Sequence, residues 1–175
     1  MCYYKYVRLS FDNGGFMVMK RYIIDFDGVV LDSQTKFDEN MKGNTNFCDW
    51  NEYLNSIEWR EFYRSCNEID DAFSTLTKLH YLKKLKAILT TIHSFNEGQE
   101  KSIILREKGV HVPVVFVLPN QCKSFIYPPE AGVILVDDKE QNCLDYETAG
   151  GKALIFKPDY KGNSKKVIKS LKELL

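Results

Sequence analysis

The sequence predicts an α/β fold, a parallel sheet with helices on both faces. Three observations carry that reading. Short apolar runs alternate with helical patterns, as in βαβ units. The runs are apolar at odd and even positions alike, as strands covered on both faces must be. Acidic and hydroxyl residues gather just after the carboxyl ends of those runs, where open α/β sheets bind their ligands. Five runs qualify: 22–25, 87–90, 114–118, 133–136 and 153–156.

The elements follow in order. Residues 1–18 read as an extension outside the core, and Met19 as a candidate alternative start. The first run, Tyr22-Ile23-Ile24, ends in Asp25-Phe26-Asp27-Gly28. About sixty residues then pass before the next run, far more than a minimal crossover needs. Asp49 and Glu52 form a capping-box pattern there, and Trp50, Tyr53, Leu54 and Ile57 follow helical spacing. Ile69, Phe73, Leu76 and Leu79 mark a second helix, the crossover itself. These patterns divide the chain into a core domain, 19–34 and 67–175, and a small helical insertion, 35–66, above the carboxyl edge of the sheet.

After the second run, Asn96 and Gln99 read as a capping box and Gly109 as a helix stop. Ile103, Ile104 and the stem of Lys108 are the expected sheet-facing side of that helix. Residues 139–149 read as the next helix, closed by Gly150-Gly151. At the end Val167, Ile168, Leu171, Leu174 and Leu175 predict an amphipathic helix, with Asn163 or Ser164 as its cap.

Composition narrows the function. Lys plus Arg total 24 and Asp plus Glu total 24 in the 175-residue chain. That balance gives no bulk attraction to nucleic acid or an anionic membrane, and neither is expected as a partner. No apolar run reaches the ~20 residues that span a bilayer. Five widely spaced cysteines contain no CxxC pair, so reduced thiols in a cytoplasmic protein are expected.

The chemistry lies at the strand ends. The first run ends in Asp25 and Asp27, the second in Thr90-Thr91, and the fourth in Asp137-Asp138; Lys123 follows the third. One site would gather four carboxylates, hydroxyls and an ammonium. Carboxylates this close repel or protonate one another unless a cation sits among them. A hard, oxygen-liganded ion such as Mg²⁺ meets that need, and Mg²⁺ among carboxylates commonly serves phosphate chemistry.

With those residues in order, the chain resembles the haloacid dehalogenase (HAD) superfamily of phosphohydrolases. The DxDx[TV][LV] motif matches Asp25-Phe26-Asp27-Gly28-Val29-Val30. The hydroxyl after the second strand matches Thr90 in "AILTT", the lysine matches Lys123, and the acidic pair matches "VILVDDKEQN". The resemblance covers about residues 20 to 157. It implies a Rossmann-like, HAD-type parallel sheet with a small helical cap after the first core strand.

The resemblance also implies roles. Asp25 would be the nucleophile, forming an aspartyl-phosphate. Asp27 would protonate the leaving oxygen and then take a proton from water. Thr90 would donate to phosphoryl oxygens, with Thr91 able to share or replace it and Gly28 beside the phosphate. Lys123 would balance charge, with Lys139 as its competitor. Asp137 and Asp138 would hold Mg²⁺ together with Asp25 and the carbonyl of Asp27. His93, close after Thr91, either lines the mouth of the site or is a structural or surface residue, and Cys122 is read as a bystander.

For substrate, "LTTIHS" and the spacing from Lys123 to Asp138 resemble the 5'(3')-deoxyribonucleotidase branch. That implies a nucleoside monophosphate or another small phosphorylated metabolite. The insertion is shorter than in that branch, and Thr91 stands where a serine is typical. Trp50, Tyr53, Trp59, Phe62 and Tyr63 either pack the insertion onto the core or offer a surface for a base. Two alternatives stay open: a sugar-phosphate or polynucleotide-end phosphatase or phosphotransferase of the same superfamily, and a non-catalytic binding module on this fold.

Overall fold

The computed structural model describes residues 19–43 and 49–175. The expected extension 1–18 lies outside the described residues, as does Cys48. Six parallel strands form one sheet in the order β3-β2-β1-β4-β5-β6. They are β1 (Arg21–Ile24), β2 (Leu85–Thr91), β3 (Val114–Val117), β4 (Val133–Asp137), β5 (Lys152–Phe156) and β6 (Val167–Ile168). All five expected strands are present within a residue or two.

The two faces of the sheet are both covered. Ile24, Ile88 and Val136 point to one side, with α4 (Ala72–Tyr81) and α5 (Phe95–Glu107). Ile23, Leu89 and Leu135 point to the other, with α7 (Glu140–Thr148), which supplies Cys143 and Tyr146. Alternation of side chains along each strand explains this division.

Chain order creates the crevice. After β1 the chain moves outward to β2 and β3; after β4 it moves the other way to β5 and β6. β1 and β4 are neighbours, in register from Arg21 opposite Val133 to Ile24 opposite Val136. The gap beyond their carboxyl ends is the topological switch point, where such sheets bind ligands.

Between β1 and α4 lie α1 (Ser33–Gly43), α2 (Trp50–Ser56) and α3 (Trp59–Ser65). Asp49 caps α2, its side chain accepting from the Glu52 amide at 2.7 Å. Tyr53, Trp59, Phe62 and Tyr63 are buried in the same apolar cluster as the strands. The rings pack the insertion onto the core, as one of the two expected uses requires. Trp50 differs, at 43% exposed. The edge of Tyr63 meets Phe26 with centroids 5.6 Å apart, and Arg64 of α3 pairs with Glu107 of α5 at 2.8 Å.

Three local expectations are corrected. The segment after β5 is not a helix. Val167 and Ile168 pair with Ile155 and Phe156 as an edge strand, and Leu171–Leu174 form one 3₁₀ turn. Ser170 caps that turn in a reciprocal box with Glu173, in place of Asn163 or Ser164. The β-branched pair suits a sheet edge, and Leu171 and Leu174 bury one 3₁₀ turn apart. Second, α5 is capped by Ser94 and not by an Asn96–Gln99 box; Ser94 Oγ accepts from the Glu97 amide at 3.1 Å. Gly109 does follow the helix as expected, with φ +79°. Third, the sheet-facing side of α5 is Glu97, Lys101, Ile104 and Leu105, while Lys108 is exposed.

Candidate active site

The chain turns sharply as it leaves β1. The amides of Val30 and Leu31 donate to the carbonyl of Phe26 at 2.8 and 3.2 Å, and the Gly28 amide donates to Leu31. Phe26 is buried and anchors the turn from below. Gly28 has φ +72°, and a Cβ there would lie 2.4 Å from Asp138 Oδ2. Only glycine lets the turn close against that carboxylate.

Asp25 faces β4. Its Oδ2 lies 2.7 Å from Lys123 Nζ, and its Oδ1 accepts from the Phe26 amide at 2.7 Å. Lys123 opens the short helix α6 (Lys123–Ile126) and also reaches Asp137 at 2.6 Å. Asp137 is fully buried and further held by the Lys139 amide and the Asn142 side chain, both at 2.9 Å. Of the two lysines weighed from sequence, Lys123 therefore sits between the carboxylates, while Lys139 contributes its backbone.

Asp25, Asp137 and Asp138 place ligand oxygens within 4.8 Å of one another. Burial, with Asp137 and Asp27 nearby, raises Asp25 to about 7 against the pull of Lys123. Burial and Asp137 raise Asp138 to about 6. Burial alone would lower the Lys123 ammonium; Asp25 and Asp137 outweigh it and hold the group above its ordinary value. Asp138 Oδ1 is buried with no hydrogen-bond partner among the described residues. An orphaned carboxylate oxygen among three carboxylates fits a small hard cation such as Mg²⁺. Asp25, Asp137 and Asp138 would hold it, Asp137 also accepting from Lys123, Lys139 and Asn142.

Asp27 faces the other way. Its carboxylate lies outside the acidic cluster, so of Asp27 the carbonyl assigned by resemblance is the part left for a metal. Ser33 Oγ donates to Oδ1 at 2.8 Å; Lys101 Nζ lies 2.6 Å from Oδ2, and Thr90 Oγ1 3.3 Å from it. Thr90 is fully buried at the end of β2. Thr91 meets this group through its carbonyl, which accepts from Lys101 at 2.6 Å.

The sequence matches no protein-family model and no curated protein. Solved structures do resemble it. One is a dehalogenase in an intermediate complex, 13% identical, with TM-score 0.60 over 90% of this chain and 96% of that one. Another is L-2-haloacid dehalogenase from Xanthobacter autotrophicus with chloropropionic acid covalently bound, 13% identical, TM-score 0.56, covering 89% and 96%. A third is a HAD-superfamily hydrolase from Ehrlichia chaffeensis, 14% identical, TM-score 0.53, covering 89% and 95%. The fold is that of the haloacid dehalogenase superfamily.

Within this HAD fold, sequence reasoning missed Lys101, Glu97, Ser33 and Asn142. Lys101 is wholly buried on α5, 2.8 Å from Glu97. Burial would raise Glu97, but hydrogen bonds from His93 and the Lys101 charge bring it down to about 2. Ser94 and Glu97 form an S-x-x-E pattern, which was legible. Glu97 and Lys101 stand at i and i+4, the spacing of ordinary surface pairs. Their signal was that both share a helical face with Ile104 and Leu105.

His93 binds Glu97 through its backbone amide at 2.6 Å and its ring at 3.3 Å. Cys122 is an exposed free thiol, and Cys66 and Cys143 are also free. No helix among the described residues is long and apolar enough to cross a membrane. A cavity of about 680 Å³ opens beside Gly28 and Asp138, bordered by Asp32, Thr35, Lys157 and Tyr160.

Proposed function

We propose that the protein is a Mg²⁺-dependent phosphomonoester hydrolase that works through an aspartyl-phosphate on Asp25. The observation that carries this reading is the second aspartate. Asp27 is tied to Ser33, Thr90 and Lys101 beside the nucleophile. An alkoxide leaving from phosphorus needs a proton in the transition state, and a positioned carboxylic acid supplies it. A halide leaving carbon needs none. One similar dehalogenase carries chloropropionic acid covalently bound, which supports a covalent route, and Asp27 favours the phosphoester.

The steps balance on this chain's own groups. Asp25 attacks phosphorus, the bond to the ester oxygen breaks, and that oxygen leaves with the proton of Asp27. Asp27, now a carboxylate, takes a proton from water as the water attacks the acyl phosphate. Asp25 is released as a carboxylate, Asp27 regains its proton, and inorganic phosphate departs. Lys123 holds Asp25 and offsets negative charge, while Thr90 would donate to a phosphoryl oxygen. Mg²⁺ held by Asp25, Asp137 and Asp138 would neutralise the phosphoryl charge that these carboxylates would otherwise repel.

For substrate we favour a small phosphorylated metabolite whose leaving group fills the cavity by Gly28. Its lining joins Asp32, Thr35 and Lys157 with Ile69, Pro158 and Tyr160, which suits a leaving group with both hydroxyls and an apolar face. Burial of Tyr53, Trp59, Phe62 and Tyr63 leaves the insertion little ring surface for a base. Exposed Trp50 and, at the cavity, Tyr160 are the rings left for one, so sugar phosphates and nucleoside monophosphates both stay in the panel.

The test is Mg²⁺-dependent phosphate release from sugar phosphates, nucleoside monophosphates, an aryl phosphate and, as a halide-release arm, 2-chloropropionate. Wild-type turnover should be lost in Asp25→Asn by at least about 10⁴-fold. Halide release without phosphate release would replace the reading with dehalogenation. Equal activity in the variant would remove Asp25 as nucleophile.

A further inference from the structure

Each aspartate of the turn has its own buried lysine. Lys123 serves Asp25, in keeping with its position by resemblance. Lys101 has no counterpart among the residues the resemblance assigned. It lies on α5, one helix turn from Glu97, and is wholly buried. Its ammonium lies 2.6 Å from Asp27 Oδ2, 3.0 Å from Thr90 Oγ1, 2.6 Å from the Thr91 carbonyl and 2.8 Å from Glu97. The ring centroids of Tyr63 and Phe26 are 5.6 and 5.8 Å away.

Burying an ammonium costs several kcal/mol, and pairing it often no more than breaks even against an apolar core. Three N–H donors shared among four oxygens therefore point to geometry as the return. Glu97 is locked in its turn by Tyr63 Oη, which donates at 2.9 Å, and by the His93 amide at 2.6 Å. Asp27 itself is 28% exposed at its side chain, so it borders solvent and would be free to rotate if unheld. Thr90 shares the same ammonium, so one nitrogen sets both groups.

We propose that Lys101 is a positioning residue, which fixes the Asp27 carboxylate and the Thr90 hydroxyl for proton transfer and phosphoryl binding, and that Glu97 and Tyr63 hold Lys101 in place. The insertion thereby takes part in the chemistry through α3, at one remove. The catalytic arm of this inference rests on the phosphatase reading; the geometric arm does not.

The double variant Lys101→Met, Glu97→Gln tests it. Removing both charges avoids stranding a buried carboxylate. With an alkyl phosphate, whose leaving oxygen needs the proton, kcat should fall at least about 100-fold at little change in KM, the usual reach of a positioned acid. With an aryl phosphate of low leaving-group pKa, kcat should fall less than about 10-fold. Equal losses on both substrates would overturn the positioning role, since general loosening does not distinguish leaving groups. Glu97→Gln alone keeps the lysine and should show the same pattern at smaller amplitude, which covers a double variant that fails to fold. A crystal structure of whichever variant folds supplies the second readout. Asp27 should leave Ser33 and Thr90 in it; Asp27 unmoved overturns the proposal. If the wild type hydrolyses neither phosphate, the phosphatase reading falls, and that structure alone decides on Lys101.

Discussion

The two aspartates of the β1 turn stand two residues apart, yet different halves of the molecule hold them. Asp25 belongs to the β4 side, with Lys123, Asp137 and Asp138. Asp27 belongs to the β2 side, with Thr90, Lys101 and, behind them, Glu97 and Tyr63. The first half is short of positive charge and leaves Asp138 Oδ1 without a partner among the described residues. The second has a partner for each Asp27 oxygen. The contrast teaches where a cation belongs: one half is built to receive charge, the other to hold a group still.

The largest effect should come from Lys123→Met. It leaves Asp25 and Asp137 buried without their ammonium, a loss of about 3–5 kcal/mol. Urea denaturation of metal-free protein at alkaline pH measures it. A loss near zero would mean that the β4 side tolerates its charge without Lys123, and the contrast would break.

A pH series sharpens the contrast next. In metal-free protein Asp25 and Asp138 are raised, to about 7 and about 6. The folded state binds their protons more tightly than the unfolded one. Their contribution is full below about pH 4 and is lost as pH rises through the folded values. Glu97, lowered from its ordinary 4.5 to about 2, has the opposite sign: its contribution is full above about pH 5 and is lost as pH falls through that interval. Between about pH 5 and pH 8 the β4 side should weaken while Glu97 keeps its full contribution. Urea midpoints should fall over that range, and added Mg²⁺ should restore more stability at the upper end than at the lower. An equal gain at both ends would count against Asp25 and Asp138 as ligands.

Gly28→Ala should cost about 1–2 kcal/mol for the left-handed backbone alone. The new methyl would also displace Asp138, so Mg²⁺ affinity measured by calorimetry should fall with it. Unchanged affinity would remove Asp138 from the cation site. An effect of similar size should come from Tyr63→Phe, which keeps the ring and removes the hydrogen bond to Glu97. A loss of about 1.5 kcal/mol is expected in thermal or urea unfolding. No loss would detach the insertion from the Lys101 network.

Much of this was legible in the residues. Five apolar runs placed five strands, because a sheet covered on both faces demands such runs. Asp25, Asp27, Thr90, Lys123, Asp137 and Asp138 could be named because each stands at or just beyond a strand end, and parallel strands bring those ends together. The sixth strand was not legible. Val167 and Ile168 are too few to show a period, and the leucines after them completed a false helical pattern.

The sequence by itself determined the sheet and the acidic residues at its carboxyl edge, since local apolar pattern dictates which segments become strands. Only the tertiary structure decided which aspartate each lysine serves. A glutamate and a lysine four apart on a helix look the same whether they face water or the core. Packing of α5 against β2 and α3 turned Glu97 and Lys101 inward, and that rotation depends on contacts made by segments far apart in the chain.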